Sequence, residues 1–116
     1  MKPIDTALAQ AARNVVEYCL GIQAGEVVSI VTDSADSDRI EIARAFWEEA
    51  RAKGAEVILA EMLPRKNSGE EPPAPIAQLM AESNVVLCPT TKSLSHTQAR
   101  RIASARGARI DRKSVV

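Results

Sequence analysis

The sequence predicts a small α/β domain: a doubly wound three-layer fold with a mostly parallel sheet of about four strands in the order 2-1-3-4. Three observations carry that expectation. Helical and strand-like hydrophobic periods alternate along the chain as α-β-α-β-α-β-α-β, the pattern of a parallel sheet covered by helices on both faces. The strand candidates are short runs rich in Val, Ile and Leu, as expected of strands buried on both sides. Glycines (Gly21, Gly25, Gly54, Gly107) punctuate the junctions where helices end and strands begin.

Residues 4–20 form the first predicted helix. Leu8, Ala12, Val15, Val16 and Cys19 recur at helical spacing. Asp5 is the expected N-cap, and Gly21 is a natural residue to follow the helix end. Val27, Val28, Ile30 and Val31 make the most apolar strand, which is therefore expected at the sheet centre. A polar loop over 33–37 leads into a second helix over 38–53, where Asp38 and Glu41 are spaced as cap and N3 partner. Its expected buried stripe is Ile40, Ala43, Trp47 and Ala50. Gly54 ends the helix, and a strand follows over 56–62.

Residues 64–75 are a polar connection containing Gly and Pro. A short helix is expected over 76–81, with Pro75 near its first turn. Val85, Val86 and Leu87 form the third strand. A loop then enters a helix over 95–106, for which Ser95 and Gln98 are spaced as a capping box. The last strand begins at Ala108. With strand order 2-1-3-4, the sheet reverses direction between the first and third strands. Ligands of open α/β sheets bind at such a switch point, here between the 33–37 and 89–94 loops.

Composition narrows the function classes. A chain of 116 residues fits one domain. Fifteen basic and fifteen acidic residues cancel, so the basic excess of a nucleic-acid footprint is missing. Aromatics are 3%, too few for base-stacking platforms. No apolar run of about 18 residues offers a membrane span. The first residues lack the apolar core of a signal peptide. Cys19 and Cys88 read as small buried hydrophobes, with a disulfide or metal pair as the alternatives. A cytoplasmic, reducing location is expected, with no nucleic-acid or membrane partner.

Candidate sites follow from residue type and spacing. Gly21 and Gly25 lie after a helix and before a strand, the reverse of a dinucleotide fingerprint, so they read as helix stop and turn. Asp33, Asp36 and Asp38 could hold a hard cation, but they miss the EF-hand spacing and read first as a polar loop with a cap. The pairs Glu48-Glu49 and Glu70-Glu71 read as solvated surface. His96 is the single histidine. It is a solvated first-turn residue, a neutral hydrogen-bonding group at the crevice, or, with no second histidine, least readily a metal ligand. Ser93, Ser95, His96 and Thr97, with the amides of the helix start, could hold a carboxylate or phosphate. Arg100 and Arg101 lie too far along the helix to complete that site. No catalytic residue and no metal ligand are assigned, and no cofactor is expected in this chain.

Three motifs carry a family resemblance. They are Tyr18-Cys19-Leu20-Gly21 followed by Ala24-Gly25-Glu26-Val27-Val28, then Ala50-Arg51-Ala52-Lys53-Gly54-Ala55-Glu56-Val57, then Ser93-Leu94-Ser95-His96-Thr97 with Ala99-Arg100 and Arg106-Gly107-Ala108-Arg109-Ile110. In order and spacing, the run from Leu8 to Ile110 resembles the N-terminal domain of the thermophilic metallo-aminopeptidases. These are the leucyl aminopeptidase-like enzymes of the aminopeptidase T and S type, whose relatives include a dihydroxypyridine ring-cleaving dioxygenase. The resemblance implies a metalloprotease parent: a cytoplasmic, dimeric hydrolase that removes N-terminal residues from peptide substrates with a pair of divalent metals, zinc, cobalt or similar. Its ligands would lie in a C-terminal half with no counterpart here, so this chain is expected to be an inactive fragment of the parent. Two alternatives stand beside it: a stand-alone module binding a small anion at residues 93–97, and a fragment of the dioxygenase relative.

The resemblance gives one domain over residues 1–110. It stops at Ile110, and residues 111–116 form a tail outside the family pattern. One back-translation of that tail resembles a sequencing-adapter segment, so read-through is the expected origin.

Overall fold

The computed structural model describes residues 4–33, 37–94 and 96–110, and every statement below concerns those residues. Four parallel strands form one sheet: β1 (Val27–Asp33), β2 (Glu56–Met62), β3 (Val85–Leu87) and β4 (Arg109–Ile110). Their order is β2-β1-β3-β4, as the sequence predicts. Four α-helices cover the sheet: α1 (Thr6–Asn14) precedes β1, and α2 (Ser37–Ala52), α3 (Ala74–Ala81) and α4 (Gln98–Ala105) connect the strands. The expected tail over residues 111–116 lies outside the described residues. No helix among the described residues is long and apolar enough to cross a membrane.

Strand register fixes which residues share a face. Val28 pairs with Val57 and Val85, and Ile30 with Leu59 and Leu87. These side chains point to the α1/α2 layer, where Val28, Ile30, Val85 and Leu87 pack with Val16 and Phe46. Val31 and Val86 face the opposite layer, where Met80 of α3 and Ala99 and Ala103 of α4 cover them. β1 is buried on both faces from Val28 onward, with Val28 and Ile30 packed on one side and Val31 on the other, as in a parallel strand covered by helices.

The helices differ from expectation in their bounds or their buried faces. The first is not one α-helix over 4–20. Asp5 does cap α1 by accepting from the Leu8 N–H at 3.2 Å. From Val15 to Cys19, however, the chain widens into a π-helical turn, closed by Leu20 N–H to Val15 C=O at 2.9 Å. The extra residue in that turn brings Val15 and Val16 inward together and turns Tyr18 and Cys19 out. Cys19 is therefore exposed rather than buried, while Cys88 is half-buried, and neither forms a disulfide.

Helix α2 starts at Ser37, so Asp38 sits inside its first turn. The acid there suits the positive end of the helix dipole but is not the cap. The buried stripe is Ile42, Ala43, Phe46 and Ala50, rotated from the predicted one. Ile40 is exposed, and Trp47 is half-buried under the Arg51 guanidinium, 4.4 Å from its ring centroid. Both stripes have helical spacing, and burying Phe46 completely decides between them. Helix α3 begins at Ala74 with Pro75 in its first turn. Helix α4 begins at Gln98, three residues later than expected, and its N-cap is Thr97, which accepts from the Arg100 N–H at 3.1 Å. The Ser95–Gln98 capping box is not the one used, and Ser95 itself lies outside the described residues.

The amino ends of the strands are locked together. Asn84 accepts the Val27 N–H on Oδ1 (2.8 Å), donates its own N–H to the Val27 carbonyl (2.9 Å) and accepts the Arg109 N–H (2.9 Å). The Arg109 guanidinium forms a bidentate pair with Glu26 at 2.9 and 2.6 Å and donates to the Leu20 carbonyl at 2.9 Å. This clamp holds the two-residue strand β4 to the far side of β3. Hydrogen bonding to Arg109 is the main reason the Glu26 carboxyl lies below its ordinary pKa, with the Gln23 N–H assisting.

A depressed carboxyl pKa contributes stability above the unfolded value, about 4.3 for glutamate, and loses it as pH falls through the folded value. Glu26→Gln should cost about 0.5–1 kcal/mol at neutral pH, since the pair is partly exposed. The cost should vanish below the folded pKa. Urea denaturation of both proteins across that range checks it; an equal loss at all pH values would assign the effect to packing instead.

Candidate functional site

The predicted crevice lies where β1 and β3 end side by side. Its central group is Asp33, the last residue of β1, a carboxylate only 1% exposed. One oxygen, Oδ2, accepts both the Thr91 N–H (2.9 Å) and the Thr91 hydroxyl (2.8 Å). Thr32, its neighbour, donates its hydroxyl to the Pro89 carbonyl at 2.9 Å. The loop after β3 is further folded on itself by the Thr90 hydroxyl, which donates to the Lys92 carbonyl at 2.7 Å. Asp33 and Thr32 thus tie the loop leaving β3 to the end of β1. Burial needs such partners, because an unpaired carboxylate in this position would carry a desolvation cost of several kcal/mol.

Asp33 was expected to stand with Asp36 and Asp38 as a loop cluster or cation site. Asp36 lies outside the described residues, and Asp38 is exposed on α2. Among the described residues, no group of three or more His, Cys, Asp or Glu side chains is placed to hold a metal.

The start of α4 already holds a carboxylate, and it comes from this chain. Glu71 accepts the Gln98 N–H on Oε2 at 2.7 Å and the Ala99 N–H on Oε1 at 3.1 Å. Glu71 is exposed, as expected, and also acts as a long-range helix cap. Its neighbour Glu70 is likewise engaged, accepting the Lys66 N–H at 2.8 Å and the Asn67 N–H at 3.3 Å. Those bonds, with the nearby cations Arg65 and Lys66, hold the Glu70 carboxyl below its ordinary pKa. Glu49 receives Arg13 at 3.1 Å. The 64–75 connection is pulled against the 89–97 loop by the Glu71 contacts and by the Gly69 N–H, which donates to the Ser93 carbonyl at 3.1 Å.

The predicted anion-site residues separate. Thr97 is fully buried, its hydroxyl donating to the Leu94 carbonyl at 2.7 Å while capping α4. Ser93 and His96 are exposed. His96 precedes the helix rather than sitting in its first turn, and its carbonyl accepts from Arg101 at 3.4 Å. Ser95 is outside the described residues. A small anion at these amides would have to replace Glu71. One signal in the sequence hints at an imported carboxylate: the first turn of α4 has no acid and carries Arg100 and Arg101, a charge arrangement opposed to the dipole.

No protein-family profile matches this chain, and no curated protein sequence does. Among solved structures, the fold matches 2,5-dihydroxypyridine dioxygenase from Pseudomonas putida KT2440, with a TM-score of 0.70 and 16% sequence identity. The match covers 93% of this chain and 34% of that one, so the chain spans about a third of that protein's length. At this identity the likeness is one of fold. It corrects the aminopeptidase resemblance: the matching fold is that of a dioxygenase, and the hydrolase and metalloprotease reading is overturned. The three motifs that carried the resemblance are helix stops, turns and caps of this α/β frame.

Three substitutions at two positions check the internal ties. Asp33→Ala leaves the Thr91 N–H and hydroxyl without this acceptor and should destabilise by about 1–3 kcal/mol, whereas Asp33→Asn, which keeps a carbonyl acceptor, should cost less. Equal losses in urea denaturation would contradict the acceptor role. Glu71→Ala should cost about 1 kcal/mol, as loss of a helix cap does, and should speed hydrogen exchange at Gln98 and Ala99 selectively. Unchanged exchange at those amides would show that Glu71 does not protect them.

Proposed function

We propose that this domain is the α/β scaffold of an enzyme of the 2,5-dihydroxypyridine dioxygenase type. The single observation that supports it is the fold likeness over nearly the whole chain. The internal chemistry agrees with a scaffold role. At the switch point, Thr91 donates twice to Asp33 and Thr32 donates to the Pro89 carbonyl, and the start of α4 is closed by Glu71. These groups position loops; the reacting groups belong to the part of such an enzyme that this chain does not span. Cys19 and Cys88, neither of them in a disulfide, suit a reducing, cytoplasmic setting. A stand-alone anion-binding module at residues 93–97 has less support, because the amides it needs are already bonded.

The test begins with resequencing the source gene across the codon for Ile110, followed by assay of the verified product. Oxygen uptake dependent on 2,5-dihydroxypyridine in that product, and absent from the 116-residue chain alone, is the expected result. A verified product that binds 2,5-dihydroxypyridine no better than an unrelated α/β protein and consumes no oxygen with it would overturn the proposal.

A further inference from the structure

Strand β2 is an outer strand of the sheet, and its open side has an unusual composition for an unprotected edge. Edges are commonly guarded by charged side chains, lysine above all, by proline or by a bulge; here the charges are Glu56 and Glu61, at and near the strand's ends. Residues 56–62 read Glu-Val-Ile-Leu-Ala-Glu-Met, with no lysine or proline, and their pairing with β1 runs without a bulge. Ile58 is 40% exposed and Leu59 44%. They lie on opposite faces of the sheet, so apolar surface reaches the edge on both sides.

The backbone defines the open stretch. The Glu56 N–H donates inward to the Glu26 carbonyl at 2.8 Å. By strand alternation, Glu56, Ile58, Ala60 and Met62 turn their backbone groups toward β1, and Val57, Leu59 and Glu61 turn theirs to the open side. The flanking residues of that outward series are tied within the chain. The Ala55 N–H donates to the Ala50 carbonyl at 3.4 Å. The Leu63 carbonyl accepts from Arg65 Nε at 3.2 Å and Nη2 at 3.0 Å.

We propose that this edge pairs antiparallel with the same edge of a second copy, about a two-fold axis centred on Leu59. A two-fold axis normal to the sheet keeps each face on its own side, so opposed residues share parity and the axis must pass through a residue. Centred on Leu59, it sets Leu59 against Leu59, Val57 against Glu61 and Ile58 against Ala60, and every outward group of Val57, Leu59 and Glu61 is paired. Centred on Ile58, it sets Glu61 against Ala55, whose N–H is already bonded. Centred on Ala60, it sets Val57 against Leu63, whose carbonyl Arg65 holds. Centred on Glu56 or Glu61, it opposes a carboxylate to its own copy, which is destabilising. The Leu59 register alone uses the open stretch fully and brings no acid opposite an acid. The result is a closed two-fold dimer with one continuous sheet. It does not depend on the enzyme reading.

Sedimentation velocity of the 116-residue chain over a concentration series tests the pairing. The expected result is a species of twice the monomer mass that grows with concentration, at least tenfold weaker association for Leu59→Lys, and unchanged circular dichroism of the monomer. In a Cys19→Ser/Leu59→Cys variant, mild oxidation should form an intermolecular disulfide. Hydrogen-bonded antiparallel partners lie about 5.5 Å apart at Cα, within disulfide reach. This second variant keeps the test decisive if Leu59→Lys fails to fold. A chain that stays monomeric at the highest concentration overturns the proposal. So does a dimer whose Leu59→Cys form does not cross-link, because its interface lies elsewhere.

Discussion

The structure rests on a central strand that must be satisfied on four sides at once. β1 is hydrogen-bonded to β2 on one edge and β3 on the other. It is packed by α1 and α2 on one face and by α3 and α4 on the other. Its residues from Val28 onward are buried, so its polar groups have no solvent to fall back on. That includes Ser29, Thr32 and Asp33, which are fully buried within the strand. Each is answered locally. The Ser29 hydroxyl meets Ser83 at 2.9 Å, Thr32 donates to Pro89, and Asp33 takes two bonds from Thr91. All three partners flank β3, so satisfying the central strand also fixes where β3 begins and ends.

The same pattern holds at the sheet's two ends, where carboxylates tie elements that are distant in sequence. At the amino end, Glu26 reaches Arg109 across the start of β3. β4 has only two residues, too few to hold its place by ladder bonds alone, and the bidentate pair supplies orientation that length does not. At the carboxyl end, Glu71 closes the start of α4 and fastens the long connection between β2 and α3. Cations and dipoles far apart in sequence thus find carboxylates from connecting loops. The loops carry the electrostatic ties, while the elements carry the apolar packing.

That division determines what was legible in the sequence. The strand order and the strands at Val27–Asp33, Glu56–Met62 and Val85–Leu87 follow from apolar runs that any burial would select. Helix faces were less legible. In α2, Ile40/Ala43/Trp47/Ala50 and Ile42/Ala43/Phe46/Ala50 are both good stripes, and only the position of the sheet beneath decides. The π-helical turn over Val15–Cys19 leaves no local mark, because it is set by the need to bury Val15 and Val16 together. The caps show the same limit. Ser95 and Thr97 are both good cap residues by type, and the choice of Thr97 depends on its buried hydroxyl reaching Leu94. Glu71 lies 27 residues from Gln98, so no window of neighbouring residues contains the pair.

These ties bear directly on how the family motifs should be weighed. Ala24-Gly25-Glu26, Lys53-Gly54-Ala55 and Arg106-Gly107-Ala108 each place a glycine at positive φ just before a strand. At Gly54 (φ +86°) an added Cβ would also stand 3.1 Å from the Ala24 side chain, so the first two motifs are in contact. Any enzyme built on this frame has to make the same turns, whatever reaction it performs. Glu26 and Arg109, which strengthen the motif likeness, are spoken for by each other. Shared turns and clamps therefore report a shared frame, and they are silent on chemistry, which resides in side chains that the frame holds without using. In this chain the buried polar groups at the switch point are used by the frame itself, which is why its fold likeness to a dioxygenase is informative about architecture and its motif likeness to aminopeptidases was not informative about activity.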